Sequence, residues 1–132
     1  MKSYLLDTHI WIWSLVDPQR ISSSIRAILK NESTELFLSP ISVWEAILLG
    51  ERNRIAMKPN PLAWVKTALS VTPVQEAPLN NEVAIVSRQL KLKHQDPADR
   101  FLVATALVFG LTLITADQAL WKCEEVASLR CT

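Results

Sequence analysis

Residues 101–116 read FLVATALVFGLTLITA, and no other stretch limits the fold so sharply. The run is nearly unbroken apolar sequence and has to be buried. It nevertheless holds three threonines and a glycine and falls short of the about 20 apolar residues that a membrane-spanning helix needs. Gly110, one of only two glycines in the chain, divides it. The spacing predicts a buried helix over about 97 to 109, a stop at Gly110 and a buried strand over about 111 to 115. A buried helix leading directly into a buried strand belongs to a layered α/β structure, and the rest of the chain repeats that alternation.

SYLLD reads as a first strand and THIWIWSLV as the helix after it. SSSIRAILKN has serines for a cap and apolar residues at helical spacing, and ELFLS follows as a second strand. Ser39 and Pro40 open the helix ISVWEAILLGE, which Gly50 is expected to end. NPLAWVKTALS is a further helix, VTPVQEA a weak strand or extended link, and NNEVAIVSRQLKL another helix. Residues 117 to 132 are expected to hold a short helix and a short edge strand. Strands alternating with helices predict a parallel sheet covered by helices, the α/β class. With 132 residues and no linker or repeat, one domain over residues 1–132 is expected.

Gly50 and Gly110 are too few and too far apart for a phosphate-binding glycine loop. Fourteen basic residues against thirteen acidic give a formal charge of +1, so no overall field attracts a polyanion, and local patches would have to hold one. The start, MKSYLLDTH, lacks the apolar stretch of an export signal, which makes a cytoplasmic location and no membrane partner the expectation. Cys123 and Cys131 are expected to be free thiols, and with only His9 and His94 besides there is little from which to build a zinc site.

The acids carry the chemical signal. Asp7 ends the first strand, and Asp117 follows the strand LTLIT by one residue. Asp99 lies in the first turn of the helix leading into that strand, and Glu45 lies early in the helix after LFLS. In parallel sheets ligands bind beyond the carboxyl ends of the strands, where these four carboxylates would share one pocket. Like charges about 4 Å apart repel by about 4 kcal/mol at an effective dielectric of 20, so such a pocket calls for a cation or bound protons. Mg²⁺, or Mn²⁺, suits a site of carboxylates and waters, and phosphodiester hydrolysis is the chemistry such an ion supports. Each acid also has a plain structural reading. Asp7, Asp96 and Asp117 can cap helices, and Asp99 can face a helix dipole. Glu45, between Trp44 and a run of apolar residues, is the hardest to explain that way.

LLDTHIWIW, SPISVWEA, HQDPADRFLVATA and LITAD, in that order, resemble the successive motifs of PIN-domain ribonucleases, in the branch that includes VapC-type toxins. The resemblance covers essentially the whole chain. It implies a three-layer α/β/α sandwich with a central, mainly parallel sheet, a divalent metal site and cleavage of single-stranded RNA to 5′-phosphate and 3′-hydroxyl ends. It also implies a homodimer silenced by a small antitoxin protein. The family's acidic positions fall on Asp7, Glu45, Asp99 and Asp117, with Asp96 beside them as a helix cap or supporting group. Thr115 matches the hydroxyl position of the family's T-x-D and would orient Asp117 or a water. Arg100 holds the turn or neutralises a neighbouring carboxylate.

Two basic clusters could hold phosphates: Arg52, Arg54 and Lys58 in one, Arg88, Lys91, Lys93 and His94 in the other. Both also read as ordinary solvated surface. The five tryptophans could include a base-stacking platform, but Trp11, Trp13, Trp44, Trp64 and Trp121 sit mostly at helical apolar positions that favour packing in the core or at a subunit interface. His9 is expected to pack against them or to hydrogen-bond. An aspartyl-nucleophile phosphatase would want an aspartate where His9 stands. A catalytically silent module that binds RNA or a partner is the alternative to the nuclease.

Overall fold

The computed structural model describes residues 2–93, 95–123 and 128–130. In chain order the elements are β1 (Lys2–Leu6), α1 (Thr8–Val16), a short 3₁₀ turn (Pro18–Arg20), α2 (Ser23–Lys30), β2 (Thr34–Leu38) and α3 (Pro40–Glu51). They continue with α4 (Pro61–Val71), β3 (Val74–Glu76), α5 (Asn81–Gln89), α6 (Pro97–Phe109), β4 (Thr112–Thr115), α7 (Gln118–Trp121) and β5 (Ser128–Arg130). The five strands form one sheet in the order β3-β2-β1-β4-β5, and every pairing is parallel.

Period-two geometry sorts the side chains of β1 onto two faces. Tyr4 and Leu6 join a core with Trp11, Ile12, Ile25, Ala46, Val65 and Ala68, from α1 to α4. Leu5 faces the opposite core, with Val83, Leu102, Val103, Ala106 and Leu120, from α5 to α7. A central parallel strand is buried on both sides, which is why it reads as an apolar run without alternation. Helices therefore cover both faces, giving the expected α/β/α layering. Among the described residues no helix is long and apolar enough to cross a membrane.

The run at 101–116 folds as its glycine dictates. Gly110 adopts the left-handed conformation (φ 65°, ψ 38°), and the Leu111 N–H donates to the Ala106 carbonyl at 2.8 Å, closing α6 before β4 begins. Gly50 behaves differently. The helix expected to stop there continues to Glu51, and Gly50 is buried where α3 meets α4. A Cβ would stand 2.5 Å from the Met57 sulfur and 2.9 Å from Pro61 Cβ, so the missing side chain permits close helix packing. Gly50→Ala is expected to lose stability, because overpacking costs about 1–3 kcal/mol against about 0.5–1 kcal/mol gained in helix propensity. A lower urea midpoint with an unchanged m-value would show it.

α5 is also shorter than its pattern suggests. The helix expected through residues 80–92 ends at Gln89, and Leu90 turns extended (φ −64°, ψ 140°). The reason lies on α6, where the buried Arg100 side chain, 5% exposed, collects backbone carbonyls. It donates to Ser87 O at 3.0 Å, Leu92 O at 2.7 Å and Leu90 O at 3.2 Å. These bonds tie the Arg100 side chain to the turn between α5 and α6. The readings made for His94, Cys131 and the Trp121 side chain fall outside the described residues.

Candidate active site

The sheet order places a topological switch at β1, since the chain goes to β2 on one side and to β4 on the other. The Asp7 N–H donates to the Ile114 carbonyl at 3.0 Å, tying the carboxyl ends of β1 and β4 together at that switch. Asp7 follows β1, and Asp117 caps the helix after β4. Asp96 caps α6, Asp99 is in its first turn, and Glu45 projects from α3. All five carboxylates line one cavity of about 420 Å³, together with His9, Trp13 and Ala116. No lysine or arginine is among those lining residues. Four separate stretches of chain supply the acids. They are spread around the cavity, and among the described residues no three His, Cys, Asp or Glu side chains gather closely enough to grip one ion directly.

Hydroxyls organise the inner part of this wall. Asp7 is buried, 8% exposed, and one carboxylate oxygen accepts from the Thr8 N–H at 2.6 Å while the other accepts from the Thr115 hydroxyl at 2.6 Å. Thr115 Oγ1 in turn accepts from the Asp117 N–H at 3.0 Å, so one fully buried hydroxyl positions both aspartates. The Thr8 hydroxyl donates to Glu45 Oε1 at 2.6 Å and lies 2.9 Å from Ser42 Oγ. Asp117 accepts from the Ala119 N–H at 2.9 Å, and Asp96 from the N–H groups of Ala98 at 2.9 Å and Asp99 at 3.3 Å. Three of the acids therefore start helices and face the cavity at once.

Burial pushes the Asp7 carboxyl above its ordinary value, against the hydrogen bonds from Thr115 and Thr8 and the attraction of His9, while Asp117 adds to the rise. Burial likewise raises Glu45, with Thr8 opposing and the charges of Asp7 and Asp96 adding. Two carboxylates are thus held in a wall that disfavours their charge. The donor set is all oxygen apart from one imidazole, which fits a hard divalent cation and poorly fits a thiophilic one.

A PIN-domain family model matches residues 4–125. Ribonuclease VapC22 of Mycobacterium tuberculosis is 31% identical over 121 residues, 91% of each chain. The chain belongs to the PIN-domain family, in its VapC branch. Solved structures agree on the PIN fold. A chain in the crystal structure of VapBC2 from Rickettsia felis, bound to a promoter DNA fragment, superposes with a TM-score of 0.74 at 12% identity, covering 98% of this chain and 99% of that one. A chain of DNA-bound VapBC from Salmonella typhimurium gives a TM-score of 0.70 at 20% identity, with 98% of both chains covered.

The basic candidate residues of this PIN domain are dispersed. Arg52 lines a second groove next to the carboxylate cavity. Lys58 lines a separate cavity with Leu15, Trp64 and Val71. Arg54, Arg88, Lys91 and Lys93 are exposed and line neither the carboxylate cavity nor its neighbouring groove. His9 does touch a tryptophan, its ring 5.7 Å from that of Trp13, but it is exposed and lines both cavities. Trp13, Thr8 and Ser42 were missed as site residues. α1 is apolar almost all round, so no stripe marks which tryptophan faces the acids, whereas the i, i+4 pairing of His9 with Trp13 was a usable sign.

Proposed function

We propose that this protein is a divalent-metal-dependent endoribonuclease that hydrolyses RNA phosphodiester bonds, and that it is the toxin of a toxin–antitoxin pair. The observation that carries the reading is the cavity at the switch point, lined by carboxylates from four chain segments. Asp7, Glu45, Asp99 and Asp117 would hold Mg²⁺ or Mn²⁺, with Asp96, Thr115 and Thr8 keeping them in place. The spread of the acids suits Mg²⁺, which keeps several of its waters and takes few direct carboxylates. Bound there, such an ion supplies Lewis-acid stabilisation of charge developing on the phosphoryl oxygens and a more acidic water.

The chain's own contribution is orientation. Thr115 fixes one oxygen of Asp7 and the backbone of Asp117, and Thr8 fixes an oxygen of Glu45, so the acids are arranged before any ligand arrives. The named relatives support the biological setting, one being called a ribonuclease and others being VapBC complexes. The VapBC complexes support a small antitoxin as the silencing partner, and the homodimer and cytoplasmic location are carried by the family resemblance of the sequence.

Purified protein incubated with RNA and Mg²⁺ is expected to cut internally, leaving 5′-phosphate and 3′-hydroxyl ends, and to stop when EDTA is added. Absence of cleavage with both Mg²⁺ and Mn²⁺ would favour the silent binding module.

A further inference from the structure

Beside the carboxylate cavity runs a groove of about 630 Å³, with His9, Glu45 and Asp96 in the walls of both. Its floor is one stripe of α3. Ile41, Trp44, Glu45, Leu48, Leu49 and Arg52 recur at the spacing that puts residues on a single helix face. Pro97 and Ala98 at the start of α6 form part of the opposite wall. Trp44 is 58% exposed in the single chain. A lone surface indole needs no explanation. This one stands in a groove that opens directly onto the carboxylates, with a guanidinium further along the same face.

We propose that this groove seats the single-stranded RNA next to the scissile phosphate, with an unstacked base lying on the Trp44 ring and a neighbouring phosphate held by Arg52. The proposal rests on the endoribonuclease reading and adds the part of the substrate it grips. Arg52, the residue that caps the C-terminus of α3, lies seven residues beyond Glu45, about 10 Å along the axis at 1.5 Å per residue. That offset along the groove suits a phosphate next to the one under attack. An indole face accepts any base because every base has a π-face, and the base must first leave its helical stack. A protein segment laid over the same groove would compete with the RNA and would need basic groups to match Glu45 and Asp96.

The test uses the full chain with Mg²⁺ and a short, unstructured, fluorescein-labelled RNA of mixed sequence. Trp44→Ala is expected to raise KM about tenfold while kcat falls by less than about threefold, and Trp44→Phe to recover most of the loss. Arg52→Gln is expected to raise KM and to reduce the slope of log affinity against log salt by about 0.7, whereas Trp44→Ala leaves that slope unchanged. The same RNA annealed to its complement should bind more weakly than the single strand. Unchanged KM in both Trp44→Ala and Arg52→Gln overturns the proposal. So does a rise in KM that tracks a loss of dimer mass in sedimentation, which would make the groove a contact between copies. If the parent binds this RNA without cutting it, the nuclease reading fails and the groove is judged by the same variants in binding titrations. A parent that neither binds nor cuts removes both.

Discussion

Asp7→Asn is expected to lower RNA cleavage by at least about a hundredfold, and Asp99→Asn to do the same, because each removes a negative oxygen donor from the cavity. The Asp7 variant should nevertheless fold at least as well as the parent. Asn at this position still accepts from the Thr8 N–H and can donate to Thr115 Oγ1, and it removes a charge from a buried site. The sign follows from linkage. The folded-state pKa of Asp7 lies above the ordinary 3.8, so the protonated group is the one favoured by folding. That stabilisation is full below pH 3.8, is lost as pH rises through the raised value, and leaves ionised Asp7 as a net cost at neutral pH. Glu45, also raised, has the same sign from its ordinary 4.5. Without metal, Tm at neutral pH should therefore be equal or higher in Asp7→Asn. Mg²⁺ should raise Tm in the parent and not in the variant, since ligands that bind only the native state stabilise by mass action. Parent-level cleavage by both variants would remove these residues from the site.

Arg100→Ala should have the largest effect on stability. Three backbone carbonyls receive its guanidinium, and hydrogen bonds to a charged group contribute about 1.5–3 kcal/mol each, though not additively. A loss of about 3–5 kcal/mol is expected, leaving buried carbonyls unsatisfied between α5 and α6. For a chain of this size that lowers Tm by about 10–20 °C, measurable by circular dichroism. Arg100→Lys should restore little, because an ammonium is a point donor and cannot span three carbonyls as the planar fork does. Cleavage should fall as well, since Arg100 anchors the turn entering the helix that carries Asp99. A variant as stable as the parent would mean that these bonds are not what ends α5 at Gln89.

Asp7, Asp96 and Asp117 show how structural and functional readings of one residue coexist. Each accepts backbone N–H groups at a helix start, as local rules predict, and each also lines the cavity. A helix beginning at the carboxyl end of a parallel strand puts its cap at the ligand-binding edge. A capping role therefore does not take the side chain out of the cavity wall at these positions.

Most of the architecture was determined locally. Apolar periodicity, the Ser39-Pro40 and Asp96-Pro97 starts and the Gly110 stop mark nearly every element, because these signals act over a few residues. Asp7, Glu45, Asp99 and Asp117, which line one cavity, could be placed at the carboxyl edge of the sheet from their positions along the chain. Tertiary structure decided what depends on distant neighbours. Gly50 is a packing contact with α4 because Pro61 occupies the space a side chain would need. α5 ends at Gln89 because carbonyls beyond it bind a guanidinium on another helix. Trp11 is fully buried while Trp44 is exposed, although both sit in strongly apolar helices. Only the packing of α3 against α1, α4 and α6 determines which of its faces remain open, and burial is a property of the assembled layers rather than of any one segment.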